Sequence, residues 1–374
     1  MYSNQLYKKV KNVSMKRIAI LSSVNIKHMS MISLYTNLMQ QRGIEYDVIY
    51  MDKYGEDEFF ECAHKYRYTC VVQQNLPRLV KEIKYMSFVP YAKHKLRDGN
   101  YDFVIVWNDV AIFQFGSFLA KHFKGRYCLN VRDNMHYDDP RFAWRYKRCF
   151  ADSAFNTISS EGYLDFLPKN AEYLPIHSLN LSVLEGMQIH NSLRKEGEAI
   201  RIGFVGYVRF YERNKKLLDA FANDSRFELH YYGKNASVLQ AYAQEKGIHN
   251  TCFHDSFPVE ETSKYLERID VMNNLYGNDT VNVRKAISIK TFHALYARIP
   301  MLVYPDTFNA LYAEKAGIGF VLGDDEIGED LPDRLFTWYL SLDFEQMSAG
   351  CEVYLKKANE ENQHFLEVAE SYLQ

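Results

Sequence analysis

The 374-residue chain has no apolar run of the ~18 residues that a membrane-crossing helix needs, no Cys-x-x-Cys pair and no Asp-x-Asp. His-Glu-x-x-His, Gly-x-x-x-x-Gly-Lys-[Ser/Thr] and Gly-x-Ser-x-Gly are missing too. Their absence removes the zinc peptidases, P-loop nucleotide hydrolases and serine hydrolases built on those spacings. Charge of one sign is also scarce: 45 Lys and Arg against 47 Asp and Glu leave a net charge of -2, so no overall field draws the chain to nucleic acid. The six cysteines (Cys62, Cys70, Cys128, Cys149, Cys252, Cys351) are widely spread and mostly sit in apolar runs, the pattern of reduced core thiols. The opening MYSNQLYKKVKNVSMKR is basic but lacks the apolar stretch of a signal peptide, and a cytoplasmic chain is expected.

What is present is a globular composition, 47% hydrophobic and 25% charged, with enough length for two domains. From Arg17 onward, short β-branched or aromatic runs alternate with longer amphipathic segments, as in parallel sheets covered by helices. RIAILSS, YDVIYM, YTCVVQ, DFVIVWN, RYCLNVRD and NTISS read as strands, with helices over His28 to Arg42 and Pro77 to Leu96. The stretch from Ser178 to Ala199 turns polar and loses the alternation. A second series follows: IRIGFVGYV, FELHYYG, TCFHDSF, DVMNNLY, MLVYP and GFVL, closed by a helical pattern from Phe344 to Leu373. The expected division is 1–180, a linker at 181–199, 200–343, and a C-terminal helix at 344–374 that packs back on the first domain. The fold class is α/β, two doubly wound Rossmann-like domains, and the default site is the cleft where the carboxyl ends of both sheets meet.

Two segments of the second series suit a phosphate ligand. In GFVGYVRFYERNKKLLDAF, Gly203 and Gly206 end a strand, and Arg209, Arg213, Lys215 and Lys216 follow at the junction with a helix. Glycines admit a ligand close to the backbone, and Arg and Lys donate charge-assisted bonds to phosphate oxygens; a solvated basic helix end has the same composition. In DVMNNLYGNDTVNVRKAISIKTFHALYARIPMLVYPDTF, Ser288 is placed to cap a helix carrying Lys290, Thr291 and His293 on its first turns. Asn274, Tyr276 and Asn278 precede it as candidates for sugar hydroxyls; an ordinary turn before a capped helix fits equally.

The pairing of FVG-x-x-R with N-x-Y-G-N and a following K-x-x-x-A-L-x-x-x-x-P resembles bacterial GT-B glycosyltransferases of the capsule and lipopolysaccharide assembly type, the retaining family 4 group among them. The phrase TISSEGYLDFLPKNAEYLPIHSLN is similar to the end of their first domain. The resemblance spans most of the chain. It implies transfer of a hexosyl or hexosaminyl unit from a nucleotide-diphosphate sugar to a growing polysaccharide or lipid-linked oligosaccharide, with no cofactor. It implies Arg209 and one of Lys215 or Lys216 on the donor diphosphate, with Lys290 also reaching the donor. The family's paired glutamates are replaced: His293 stands at the second position and Lys285 near the first. In the first domain the resemblance puts Arg132 and Asp133 against the transferred sugar. His28 in the first strand-to-helix loop and Glu161 at the SSEGY helix are further candidates, Glu161 as a group that orients or deprotonates an acceptor hydroxyl. The missing Asp-x-Asp argues for a metal-independent reaction. A nucleotide-sugar epimerase, or a degenerate donor-binding subunit of a partner transferase, are the alternative readings. LPRLVKEIKYMSFVPYAKHKLR and RFAWRYKRCF mix basic and aromatic residues as peripheral membrane helices do, and as solvated helix faces also do.

Overall fold

The computed structural model describes residues 16–73, 75–179 and 181–374. The N-terminal leader reading therefore lies, through residue 15, outside the described residues, as does residue 180 at the expected first boundary. Seven strands, β1 (Ile18–Ser22), β2 (Tyr46–Asp52), β3 (His64–Thr69), β4 (Phe103–Trp107), β5 (Tyr127–Val131), β6 (Phe155–Ile158) and β7 (Leu174–Pro175), form a first sheet in the order β3-β2-β1-β4-β5-β6-β7. Each pairing in it is parallel. Between them run α1 (Ser33–Gln41), α2 (Arg78–Asp98), α3 (Asp109–His122) and α4 (Ala143–Ala151).

The short α5 (Leu181–Leu184) leads to a second parallel sheet. Its strands are β8 (Ile200–Val205), β9 (Phe227–Tyr232), β10 (Thr251–His254), β11 (Val271–Asn274), β12 (Met301–Val303) and β13 (Gly319–Val321), in the order β10-β9-β8-β11-β12-β13. Here the helices are α6 (Tyr211–Ala220), α7 (Ala236–Lys246), α8 (Thr262–Leu266), α9 (Val281–Lys285), α10 (Ile289–Ala297), α11 (Phe308–Lys315), α12 (Leu331–Leu340) and α13 (Phe344–Leu373).

Period-two alternation puts a core on each face of each sheet. In β1, Ala19 and Leu21 join one cluster while Ile18 and Ile20 join the other. In β8, Ile200, Ile202 and Phe204 face one side and Val205 the other. Both sheets are thus doubly wound. The third strand lies earlier than the run YTCVVQ suggests. As an edge strand it is exposed at both ends and only partly buried between them, with Asp47 opposite His64 in register, so it carries no strong apolar signal.

The 30-residue α13 ties the halves together. Its first part contributes Met347, Cys351 and Ala358 to the core of the second half, and its last part contributes Phe365, Ala369 and Leu373 to the core of the first. Ion pairs follow its length, Lys357 with Glu161 at 2.7 Å and Glu370 with Arg42 at 2.5 Å, and between them Glu361 hydrogen-bonds to the His177 ring. Below the cleft, the Asn134 backbone N–H donates to Asn282 Oδ1 at 2.6 Å, the Ser160 hydroxyl donates to the Lys285 carbonyl, and the Lys285 ammonium pairs with Asp165. A Cβ at Gly162 would stand 2.6 Å from the same Lys285 carbonyl oxygen, so only glycine permits this approach of the two halves.

Candidate functional site

The carboxyl ends of the first sheet open on a cavity of about 610 Å³. Val24 and His28 follow β1, Lys53 follows β2, Asn108 and Asp109 follow β4, Arg132 and Asp133 follow β5, and Ser159 follows β6. Asn282, Ala286 and Ile287 of the second half close its far wall. Strand ends converge there because every strand of the sheet points the same way.

Asp109, which the sequence reading passed over, organises this wall. Asn108, at a φ of 76°, caps α3 by accepting from the Ala111 N–H, and Asp109 follows in the first turn. Its carboxyl accepts the backbone N–H groups of Arg132 at 3.2 Å and Asp133 at 2.9 Å and the Tyr137 hydroxyl at 2.6 Å. Burial nonetheless pushes its pKa up to about 7, against the lowering effect of those donors. Asp133 opens to the cleft, yet the protein around it raises its pKa by desolvation; Arg132 and Arg209 act in the opposite sense. Arg132 lies over Trp107, 4.5 Å from the ring centroid, and its carbonyl accepts from the Tyr163 hydroxyl at 2.6 Å. His28 bonds through Nε2 to the Tyr54 hydroxyl at 2.9 Å; burial and the neighbouring Lys53 and Lys27 lower its pKa.

On the opposite side, β8 runs out into Gly206 and β11 ends at Asn274, beside the N-termini of α6 and α10. Ser288 caps α10 by accepting from the Lys290 N–H at 3.1 Å, the cap that its sequence position predicts. Lys290 is only 3% exposed. Its ammonium sits 4.2 Å from the Phe204 centroid and 5.6 Å from that of Tyr276, and among the described residues it has neither an ion pair nor a side-chain hydrogen bond. A Cβ on Gly206, whose φ is +121°, would stand 3.3 Å from that ammonium, so the glycine keeps the approach open. Arg209 is exposed just before α6, over Tyr207, and near enough to Asp133 to lower that carboxyl's pKa. Gly203 serves packing: a Cβ there would meet Ile269 at 2.0 Å.

Other candidates fall into supporting places. The Asn274 side chain accepts from the Ser288 hydroxyl at 2.9 Å and leaves its buried Nδ2 without a partner. Asn278 donates to the Pro305 carbonyl at 3.3 Å, and Thr291 donates to Asn309 at 2.8 Å inside the core. His293 is buried, its pKa lowered to about 3 by desolvation and by Lys290, with Nδ1 unpartnered. Lys215 pairs with Glu212 at 2.9 Å on the outer face of α6, and Lys216 reaches the Asp324 carbonyl at 3.5 Å. Arg213, between them, is locked by Asp324 at 2.8 Å and Asp279 at 3.0 Å. Glu161 is engaged with Lys357 rather than directed into the cavity. The structure therefore gathers His28, Arg132 and Asp133 in the cavity wall and Lys290 with Tyr276 at the end of the second sheet, with Arg209 near Asp133.

The sequence matches no protein-family model and no curated protein. The fold is that of known enzymes. Sucrose-phosphate synthase from Thermosynechococcus elongatus superposes with a TM-score of 0.64 at 13% identity, over 95% of this chain and 97% of that one. The lipopolysaccharide outer core galactosyltransferase WaaB in its apo form gives 0.63 at 12% identity, over 95% and 99%. HepE of Anabaena, in complex with UDP and glucose, gives 0.62 at 11% identity, over 95% and 100%. Two parallel, doubly wound sheets facing across a cleft are the GT-B architecture.

Proposed function

We propose that this chain transfers a hexosyl or hexosaminyl unit from a nucleotide-diphosphate sugar to a growing polysaccharide or lipid-linked oligosaccharide. The observation that carries this reading is Lys290: a residue only 3% exposed, its ammonium without an ion pair among the described residues, at a capped helix N-terminus and open toward Gly206. Such a charge is costly unless an anion completes it, and a helix N-terminus adds a favourable field. The donor diphosphate completes it, with Arg209 on its other side, and both cations stabilise the charge that grows on the leaving group. Asp133, across the cleft, orients or deprotonates the acceptor hydroxyl. The fold is shared with WaaB, a galactosyltransferase, and with HepE, which binds UDP and glucose; both agree with this assignment. On the missing Asp-x-Asp we take the reaction to be metal-independent.

A lipid-linked acceptor suits an apolar groove of about 580 Å³ that continues from the cleft, sharing Val110 and Met135 with it and lined further by Tyr85, Met86, Phe113 and Phe142. Beside it α2 exposes Leu79, Ile83 and Met86, while among the described residues no helix is apolar and long enough to cross a membrane. The contact we infer is peripheral and helped by the lysines and arginines of α2 and α4. Flotation with anionic but not neutral vesicles, lost in high salt, supports it; equal flotation with both, or with neither, removes it.

Incubation with UDP-, GDP- and dTDP-sugars and chromatography of the nucleotides tests the main reading. Acceptor-dependent release of a nucleoside diphosphate is expected. Epimerised sugar, or binding without turnover for every donor and acceptor pair, contradicts it.

A further inference from the structure

Elsewhere in the fold, partly buried arginines find carboxylates. Arg201 reaches both oxygens of Asp270 at 2.7 Å, and Arg213 is held between Asp324 and Asp279. Arg132 is different. Its Nε and one terminal nitrogen are sealed from water without a hydrogen-bond partner, and it makes no ion pair among the described residues. The two carboxyls whose charge it feels do not serve it. Asp109 already accepts two backbone N–H groups and the Tyr137 hydroxyl, and Asp133 turns to the open cleft. The cost of that burial pulls the guanidinium down to about 10, so it stays charged at neutral pH.

The position of this orphaned charge identifies what completes it. Arg132 lines the cleft cavity, and the loop that carries it faces the second half: Asn134 bonds to Asn282, and Asp133 lies within the field of Arg209. A sugar whose diphosphate rests beside Arg209 extends toward Asp133 and its chain neighbour Arg132. The guanidinium lies over Trp107, and with Nε and one terminal nitrogen sealed, its other terminal nitrogen is the donor left for a charge-assisted bond to a carboxylate in the cavity.

We propose that Arg132 binds a carboxylate on the transferred sugar, so that the donor is a nucleoside-diphosphate uronic acid rather than a neutral hexose. This rests on the glycosyl-transfer reading above and narrows it to a substrate class. The same guanidinium also selects against neutral donors, because they leave it buried and unpaired.

Calorimetric titration tests it. Free UDP, GDP and dTDP are titrated first; then matched pairs on the base that binds, UDP-glucose with UDP-glucuronate, UDP-galactose with UDP-galacturonate, GDP-mannose with GDP-mannuronate, or dTDP-glucose with dTDP-glucuronate. At least one uronate is expected to bind about tenfold or more tighter than its hexose, the scale of one charge-assisted hydrogen bond. Arg132→Met, which keeps an unbranched stem over Trp107, should reduce that ratio to below about twofold, and Arg132→Lys should retain part of it. Both variants should bind the free nucleoside diphosphate as the wild type does, which also shows that they fold. Equal affinity for hexose and uronate in every pair, or a preference that survives Arg132→Met, overturns the proposal and leaves the transferase reading standing. If none of UDP, GDP and dTDP binds the wild type, the transferase reading falls and this proposal falls with it.

Discussion

The Lys290 ammonium lies 4.2 Å from the centre of the Phe204 ring, near the end of β8 and two residues before Gly206. The aromatic face offsets part of the cost of burying a cation, but it is a weak substitute for a carboxylate. Lys290→Met should therefore melt at the same temperature as the wild type or higher, while turnover falls by about 10²-fold, the loss usual for one preorganised electrostatic donor. Calorimetry and kinetics on the one variant check both. A large drop in melting temperature would mean that the ammonium supports the core.

Arg209 carries a second role that pH reveals. Its charge lowers the pKa of Asp133, which burial raises. In Arg209→Ala the Asp133 pKa should rise, and the acid limb of kcat/KM should move to higher pH, alongside a turnover loss of about 10²-fold. An unmoved acid limb would separate Arg209 from Asp133.

Two buried groups should give opposite pH slopes in stability. Asp109 has a folded pKa of about 7 against an ordinary 3.8, so its contribution is fully present below 3.8 and is lost as pH rises through about 7. His293 has a folded pKa of about 3 against 6.5, so its contribution is present above 6.5 and is lost as pH falls toward 3. Relative to the wild type, Asp109→Asn should gain melting temperature as pH rises from about 4 to about 7. His293→Asn should gain it as pH falls from about 6.5. Parallel curves for wild type and variants would contradict both assignments.

Apart from β3, which lies earlier than YTCVVQ, the strands read from the first series and the whole of the second were legible because each is a short β-branched or aromatic run set between helical periods. Ser288 was legible as a cap for the same reason: it precedes a helical period. β7 was not, since the two residues Leu174–Pro175 carry no period. Asp109 was hidden because an acidic residue in a first helical turn is ordinary; only the fold shows that the loop after β5 leans on it. The basic run after β8 misled in part. Lys215 falls three residues after Glu212, so the helix turns it toward that partner on its outer face, and Arg213 is occupied by two aspartates that lie far away in sequence.

Glu161 illustrates the same limit. Its carboxylate meets Lys357 at 2.7 Å, so it braces α13 rather than handling an acceptor. Both side chains are more than a third exposed, at 37% and 42%. Glu161→Gln should cost at most about 1 kcal/mol and alter turnover by less than about twofold. A loss of 10²-fold or more, the scale of general base catalysis, would return Glu161 to the reaction.

The most direct measurement is titration of the wild type, Lys290→Met and Arg209→Ala with nucleoside diphosphates and with the matching monophosphates. If the two cations flank a diphosphate, the wild type binds one diphosphate well and its monophosphate far more weakly. Each variant should lose most of that difference, by about tenfold or more, the factor that follows from one charge-assisted bond. Undiminished diphosphate binding in both variants would show that the phosphates lie elsewhere.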